Sequence, residues 1–255
     1  MIKICSLGSG SRGNSIFIGN DKTKILIDAG FSALKIKNSL EKIGEDISEI
    51  NAVIVTHEHA DHIKGIKTLS NSYKIPIFVS SDFPEIFIEK VKNKDFFYSG
   101  EDFLIENIEI SSFNIPHDAV DPVGFLVKMN DLCIGIATDI GKITNLIVNK
   151  LEKCNIIFLE FNHDEKMLLY GPYSWELKQR IRSSYGHLSN SDAIELIKKI
   201  SNTHLTDIFV SHISQNNNSY EIIKREILKN FDNFNENLKF HFTYQDKPSN
   251  LITFP

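Results

Sequence analysis

A chain of 255 residues, 42% hydrophobic and 24% charged, has an ordinary globular composition and enough apolar material for a sizeable core, most simply in one domain spanning residues 1–255. The three cysteines, Cys5, Cys133 and Cys154, are odd in number and far apart, which excludes a disulfide framework and a cysteine-based zinc knuckle and fits a reducing compartment. A net charge of −5 gives no overall attraction to nucleic acid, so a polyanionic substrate needs a local basic patch or metal to hold it.

The N-terminal MIKICSLGSG lacks the apolar run of a signal peptide, and no segment approaches the roughly 20 apolar residues of a membrane span. A cytoplasmic protein without a membrane partner is expected. In chain order, KICSL, SIFIG and KILIDAG read as strands, followed by an amphipathic helix over 33–43 and the strand AVIVT. A helix is expected over 62–69, then the strand IPIFVS, a helix over 83–91 and strands within DFLIENIEISSFNI. VGFLVKM, LCIGIAT and NIIFLEFN continue the strands, with a helix over 146–151 between the last two. Helices over 174–182, 191–200 and 220–230 alternate with the strands IFVSH and NLKFHFTY. The pattern predicts two sheets packed face to face with helices outside.

SLGSGSRGNS spaces Gly8, Gly10 and Gly13 as in a dinucleotide-binding loop, but that reading requires a helix to follow. Two strands follow instead, so no helix N-terminus is there to receive a phosphate. The segment reads as a turn between strands, with Ser9, Ser11 and Asn14 available for polar contacts to a substrate phosphate.

AVIVTHEHADHIKG carries the strongest chemical signal. His57, His59, Asp61 and His62 fall within one hexapeptide at the end of a buried strand, and imidazole with carboxylate suits zinc, manganese or iron. A polar turn with Asp61 as a helix N-cap is the plain alternative. His117, Asp139 and His212 each follow a later strand, the position where sites of sheet-containing folds gather. Asp139 has two oxygens to share between cations.

These motifs resemble the metallo-β-lactamase fold, a four-layer αββα sandwich in the α/β (α+β) class with a dinuclear metal site. The resemblance spans essentially the whole chain. It implies two divalent ions, one held by His57, His59 and His117, the other by Asp61, His62 and His212, with Asp139 bridging and Asp28 supporting. A carboxylate at Asp139, where true β-lactamases usually carry cysteine, argues against a β-lactam hydrolase. His59, where the flavodiiron group has glutamate, argues against oxygen reduction.

FLEFNHDEKML and SSYGHLSNSDAIELI resemble motifs of β-CASP nucleases, implying that His187 contacts the scissile phosphate or assists the leaving group and that Glu160 orients a ligand. The interval between Asp139 and His212 is too short for a β-CASP cap domain. SGS-x-GNS, THEH-x-DH-x-KG, HDA-x-x-PVGF, LE-x-NHD, GPY-x-x-x-LK-x-RI and GHLSN are instead similar to the compact WalJ (YycJ) exonuclease group. That resemblance implies a 5′-directed DNA exonuclease linked to DNA repair. Asp61 would ligate a metal and orient the nucleophile, and His163 is an alternative ligand or substrate contact. Lys178, Arg180 and Arg182 read equally as phosphate contacts and as a solvated helix face. Competing readings are hydrolysis of RNA or a small cyclic phosphodiester, a glyoxalase II-like thioesterase, and a metal-binding module without catalysis. Oligomeric state is not legible in the sequence.

Overall fold

The computed structural model describes residues 1–200, 204–231 and 238–255. Along the chain run β1 (Ile2–Gly8), β2 (Ser15–Gly19), β3 (Lys24–Ile27), α1 (Ala33–Lys42), a 3-10 turn (Ile47–Glu49), β4 (Ala52–Ile54), α2 (Ala60–Ile63), α3 (Ile66–Tyr73) and β5 (Ile77–Ser80). Then come α4 (Glu85–Ile88), β6 (Lys94–Phe97), β7 (Asp102–Ile105), β8 (Ile108–Asn114), β9 (Val123–Met129), β10 (Leu132–Ala137), α5 (Asn145–Leu151) and β11 (Ile156–Glu160). The chain continues through α6 (Glu165–Tyr170), α7 (Trp175–Ile181), α8 (Asn190–Ile200), β12 (Asp207–Ser211), α9 (Tyr220–Phe231), β13 (Lys239–Phe242) and β14 (Ile252–Phe254). The result is a mixed α/β chain with two sheets, divided into two units: Met1–Asn114 with Ala119–Val123 and Thr243–Pro255, and Ile115–Asp118 with Gly124–Phe242.

The first unit holds a sheet in the order β14-β1-β2-β3-β4-β5-β6. β1, β2 and β3 pair antiparallel, and β3 through β6 run parallel. Alternation places Cys5, Leu7, Phe17, Leu26, Val53, Ile77 and Val79 in one core with Ile36 and Leu40 of α1 and Leu69 of α3. All five residues of β2 are buried, so both of its faces are covered, and near-continuous Ile and Phe there follow from that. α1 begins where the Ser32 side chain accepts the Lys35 N–H, satisfying a backbone donor at the helix start.

In the second unit β9 pairs antiparallel with β10, and β10, β11, β12 and β13 run parallel in that order. Phe158 and Phe209 stack across β11 and β12 with ring centroids 4.1 Å apart. Gly135 lets β10 pack closely on α5, because a Cβ there would come within 2.7 Å of the Leu151 side chain.

Several elements differ from the sequence reading. The helix expected over 62–69 is two helices, α2 and α3, parted at Gly65, where a Cβ would lie 2.5 Å from the Phe31 carbonyl. The helix expected over 83–91 contracts to α4. β6, α6 and β14 are short and were not expected. The expected strand NLKFHFTY is β13, and its first residue, Asn237, lies outside the described residues. Among the described residues no helix is long and apolar enough to cross a membrane.

Candidate metal centre

In the first unit a supporting carboxylate and a donor sit at the C-terminal ends of neighbouring parallel strands, Asp28 after β3 and His57 after β4. Asp28 adopts φ 62°, a left-handed conformation that aspartate tolerates better than most residues. Its Oδ1 accepts the Thr56 N–H at 2.8 Å and its Oδ2 accepts the His62 Nδ1–H at 2.8 Å. The Thr56 hydroxyl lies 3.0 Å from either oxygen and can only donate there, which leaves its lone pair to accept from His57 Nδ1, also at 3.0 Å. One carboxylate and one hydroxyl thereby put the Nδ1 protons on His57 and His62, which makes Nε2 the nitrogen with which either ring could hold a metal.

His59, not Asp61, is the N-cap of α2, and its carbonyl accepts the His62 N–H at 2.8 Å. The His57 ring centroid lies 4.6 Å from that of His59 and 4.1 Å from that of His62. Asp61 Oδ2 is 3.7 Å from His62 Nε2. The glycine-rich loop between β1 and β2 fixes this turn: the Asn14 N–H donates to the Asp61 carbonyl at 2.8 Å, and Asn14 Nδ2 reaches within 3.2 Å of His62 Nε2. The Ser9 hydroxyl and the Gly10 N–H both donate to Asn14 Oδ1, so Ser9 and Asn14 brace each other, while Ser11 is exposed.

In the second unit three adjacent parallel strands deliver Asp139 just past β10, Glu160 as the last residue of β11 and His212 just past β12. Asp139 and His212 have φ values of 59° and 51°, strain of about 1 kcal/mol each that the surrounding contacts impose. Asp139, Glu160, His187 and His212 offer donor atoms within 4.8 Å of one another. Glu160 is fully buried and receives four N–H groups: His187 Nδ1 and His212 Nδ1 at 2.8 Å on Oε1, Ile140 at 2.9 Å and Leu188 at 3.1 Å on Oε2. Burial by itself would raise its pKa, but the charge and hydrogen bonds of His187 and His212 hold the carboxyl well below the usual range. With its oxygens so engaged, Glu160 acts as an orienting group that fixes both rings by their Nδ1 atoms.

His117 donates from Nδ1 to the Gly186 carbonyl at 3.1 Å, and its Nε2 lies 3.9 Å from Asp139 Oδ1. Burial lowers its pKa, which favours the neutral, ligating imidazole. Asp139 Oδ1 is 3.5 Å from His212 Nε2. His187, partly exposed, has its pKa lowered by desolvation but raised further by Glu160, for a net upward shift.

His163 is buried, its pKa pushed down to about 4 by burial, and it belongs to none of the close donor groups among the described residues. Thr56, Gly186 and Asn162, whose Nδ2 donates to the His212 carbonyl at 3.2 Å, were not singled out in the sequence. Thr56 and Asn162 nevertheless stand inside THEH and NHD, the only local signal that could have flagged them. The donor set suits a divalent transition ion: imidazoles locked by their Nδ1 bonds, with carboxylates beside them.

A β-lactamase superfamily domain matches residues 23–209. Two curated relatives are similar over most of their length. The chain is 34% identical to the exodeoxyribonuclease WalJ of Streptococcus pneumoniae, over 86% of this chain and 84% of that protein. It is 30% identical to the exodeoxyribonuclease YycJ of Bacillus anthracis, over 87% and 86%. Among solved structures, the metallo-β-lactamase fold protein YhfI from Bacillus subtilis superimposes with a TM-score of 0.73 at 13% identity, covering 97% of this chain and 99% of that one.

Proposed function

Because the chain belongs to the β-lactamase superfamily and has the metallo-β-lactamase fold, we propose that it is a metal-dependent phosphodiesterase that removes nucleotides from the 5′ end of DNA, in the cytoplasm and in the service of DNA repair. The metal reading is carried by the buried carboxylate of Glu160, which holds Nδ1 of both His187 and His212. The substrate assignment is supported by two relatives of 30% and 34% identity that are named exodeoxyribonucleases.

On this reading His57, His59 and His117 would hold one divalent ion and Asp61, His62 and His212 a second, with Asp139 a further ligand, as the family pattern implies. When bound, such a pair supplies Lewis acidity that lowers the pKa of water towards neutrality and offsets the charge of a phosphodiester. Asp61, partly exposed and steadied by Asn14 Nδ2, also orients the attacking water. The new bond forms between the water oxygen and phosphorus, and the bond from phosphorus to the 3′ oxygen breaks. His187 is fixed at Nδ1 by Glu160 and presents Nε2 to donate a proton to the departing oxygen. Ser11, exposed on the glycine-rich loop, and His163 are contacts of the substrate or of its surroundings.

The test combines metal analysis with incubation against 5′-phosphorylated single- and double-stranded DNA, matched RNA and bis-p-nitrophenyl phosphate. Nucleotide release from DNA, lost in Asp61→Ala, is the expected result. Release that survives Asp61→Ala would sink the mechanism. Cleavage of RNA or of the small ester without DNA would sink the substrate assignment.

A further inference from the structure

α7 and the turn after it form a rigid platform with an unusual outer surface. Lys178 ties α7 down by donating from Nζ to the Leu169 and Gly171 carbonyls at 2.9 and 2.8 Å, and Tyr173, just before the helix, accepts from Asn216 Nδ2 at 2.9 Å. The chain then doubles back so tightly that a Cβ at Gly186 would lie 2.1 Å from the Ile181 carbonyl, and the His187 N–H donates to that carbonyl at 2.9 Å. The same turn packs on the loop past β10, where a Cβ at Gly141 would meet the Tyr185 nitrogen at 2.4 Å.

From this well-held backbone two large aromatic side chains face solvent, Trp175 at 58% and Tyr185 at 60% exposure. Trp175, Gln179 and Arg182 are spaced four and three residues apart, so they share one face of the helix, and all three are exposed. The face runs about 10 Å from Trp175 to Arg182. Past Arg182 it leads to Tyr185 and, two residues on, to His187 on Glu160. The stretch carries Lys178, Arg180 and Arg182 against one carboxylate of its own, Glu176, and while Asp118 pairs with Arg180, Arg182 stays exposed at the end of the face. Single exposed apolar residues need no explanation. Two rings flanking an arginine, beside a histidine of the donor cluster, have a specific complement.

We infer that Trp175, Arg182 and Tyr185 form a track for single-stranded DNA, in which the two rings stack on bases and the guanidinium meets the intervening phosphate. A single strand is required because only unpaired bases offer free faces, and base-on-aromatic stacking tolerates any sequence. The inference rests on the nuclease reading of the same site and deepens it: the strand that feeds the site is unpaired.

Trp175 is the chain's one tryptophan, so its emission reports the contact directly. The full chain, metal-free in chelator, is titrated with oligothymidylate, with an abasic oligomer of equal length and with a blunt duplex. The expected result is quenching by oligothymidylate and by neither of the others. By anisotropy, Tyr185→Ala weakens the oligothymidylate complex about tenfold and Tyr185→Phe restores it. Tyr98→Ala, an exposed tyrosine in the first unit, controls for surface change. Equal affinity for base-bearing and abasic oligomers, or unchanged affinity in both Trp175→Ala and Tyr185→Ala, overturns the track. Manganese is then added to separate the two ideas. DNA that quenches but is never cut overturns the nuclease reading and leaves the track. DNA that is cut without quenching overturns the track and leaves the nuclease reading.

Discussion

Glu160 Oε1 accepts the Nδ1 proton of His212 at 2.8 Å from a position with no solvent exposure. The same oxygen takes the Nδ1 proton of His187, and Oε2 takes two backbone N–H groups. In Glu160→Gln one acceptor becomes a donor, and both rings are then driven to the tautomer with the proton on Nε2. Metal affinity by chelator competition is expected to fall by about 10–100-fold. Chemical denaturation should show a loss of about 1–3 kcal/mol. Nitrogen chemical shifts of the two histidines read the tautomers directly, and unchanged shifts would refute the orienting role.

Asp28 plays the corresponding part in the first unit, towards His62 directly and towards His57 through the Thr56 hydroxyl. Asparagine accommodates the left-handed φ of 62°, so Asp28→Asn should fold. Its amide has one acceptor oxygen, and with that oxygen kept on the Thr56 N–H the NH2 group faces His62 Nδ1, where the carboxylate accepted a proton. A loss of about 10–100-fold in metal affinity is expected, with near-native circular dichroism. Full metal occupancy in this variant would show that the Asp28 contact does not set the ligating edge of His62.

The ligand types were legible in the sequence because strand ends display them locally: a short apolar run, then His57, His59, Asp61 and His62. Of their supports, Asp28 and Glu160 were named only through the family resemblance, and the individual bonds were not legible, because each is a tertiary contact. Asp28 and His62 are 34 residues apart, and His117 and Gly186 are 69 apart. The antiparallel start was legible from alternating Ile in SIFIG and KILI, flanking the polar break at Asn20, Asp21 and Lys22. β6 was missed because two of its four residues are exposed and KDFF has no alternation, and β14 because three residues carry no pattern. The break between α2 and α3 was hidden because Gly65 is required by the approach of the Phe31 carbonyl, not by local propensity.

Glu45 should make stability depend on pH. Its side chain is 1% exposed and bonds Lys3 and Lys24, each at 2.6 Å. Desolvation raises its pKa, but the hydrogen bonds and charges of Lys24 and Lys3 outweigh it and leave the carboxyl below its ordinary 4.5. A lowered folded pKa means the contribution is complete above the unfolded value and disappears as pH falls through the folded one. Glu45→Gln is expected to cost about 1–2 kcal/mol near neutral pH, discounted because both lysines are partly exposed. In urea titrations the gap between variant and parent should close as pH drops below the ordinary carboxylate range. A gap independent of pH would assign the loss to packing.

Gly30 and Gly44 separate two reasons for glycine. At Gly30 a Cβ would lie 1.6 Å from the Asp61 carbonyl oxygen and 2.6 Å from the Asn14 nitrogen. Both are backbone atoms, joined by the 2.8 Å hydrogen bond that locks the glycine-rich loop to the donor turn, so neither can yield alone. Gly30→Ala should therefore destabilise by about 3 kcal/mol and weaken metal binding as well, because Asp61 and His62 move with the turn. At Gly44, φ is +77° and no atom lies within 4 Å of the added carbon, so Gly44→Ala carries only left-handed strain, about 1 kcal/mol. Denaturation and metal titration of the two variants should place both defects on Gly30→Ala and only a small stability loss on Gly44→Ala. Normal metal affinity in a folded Gly30→Ala would show that the loop does not position the donors.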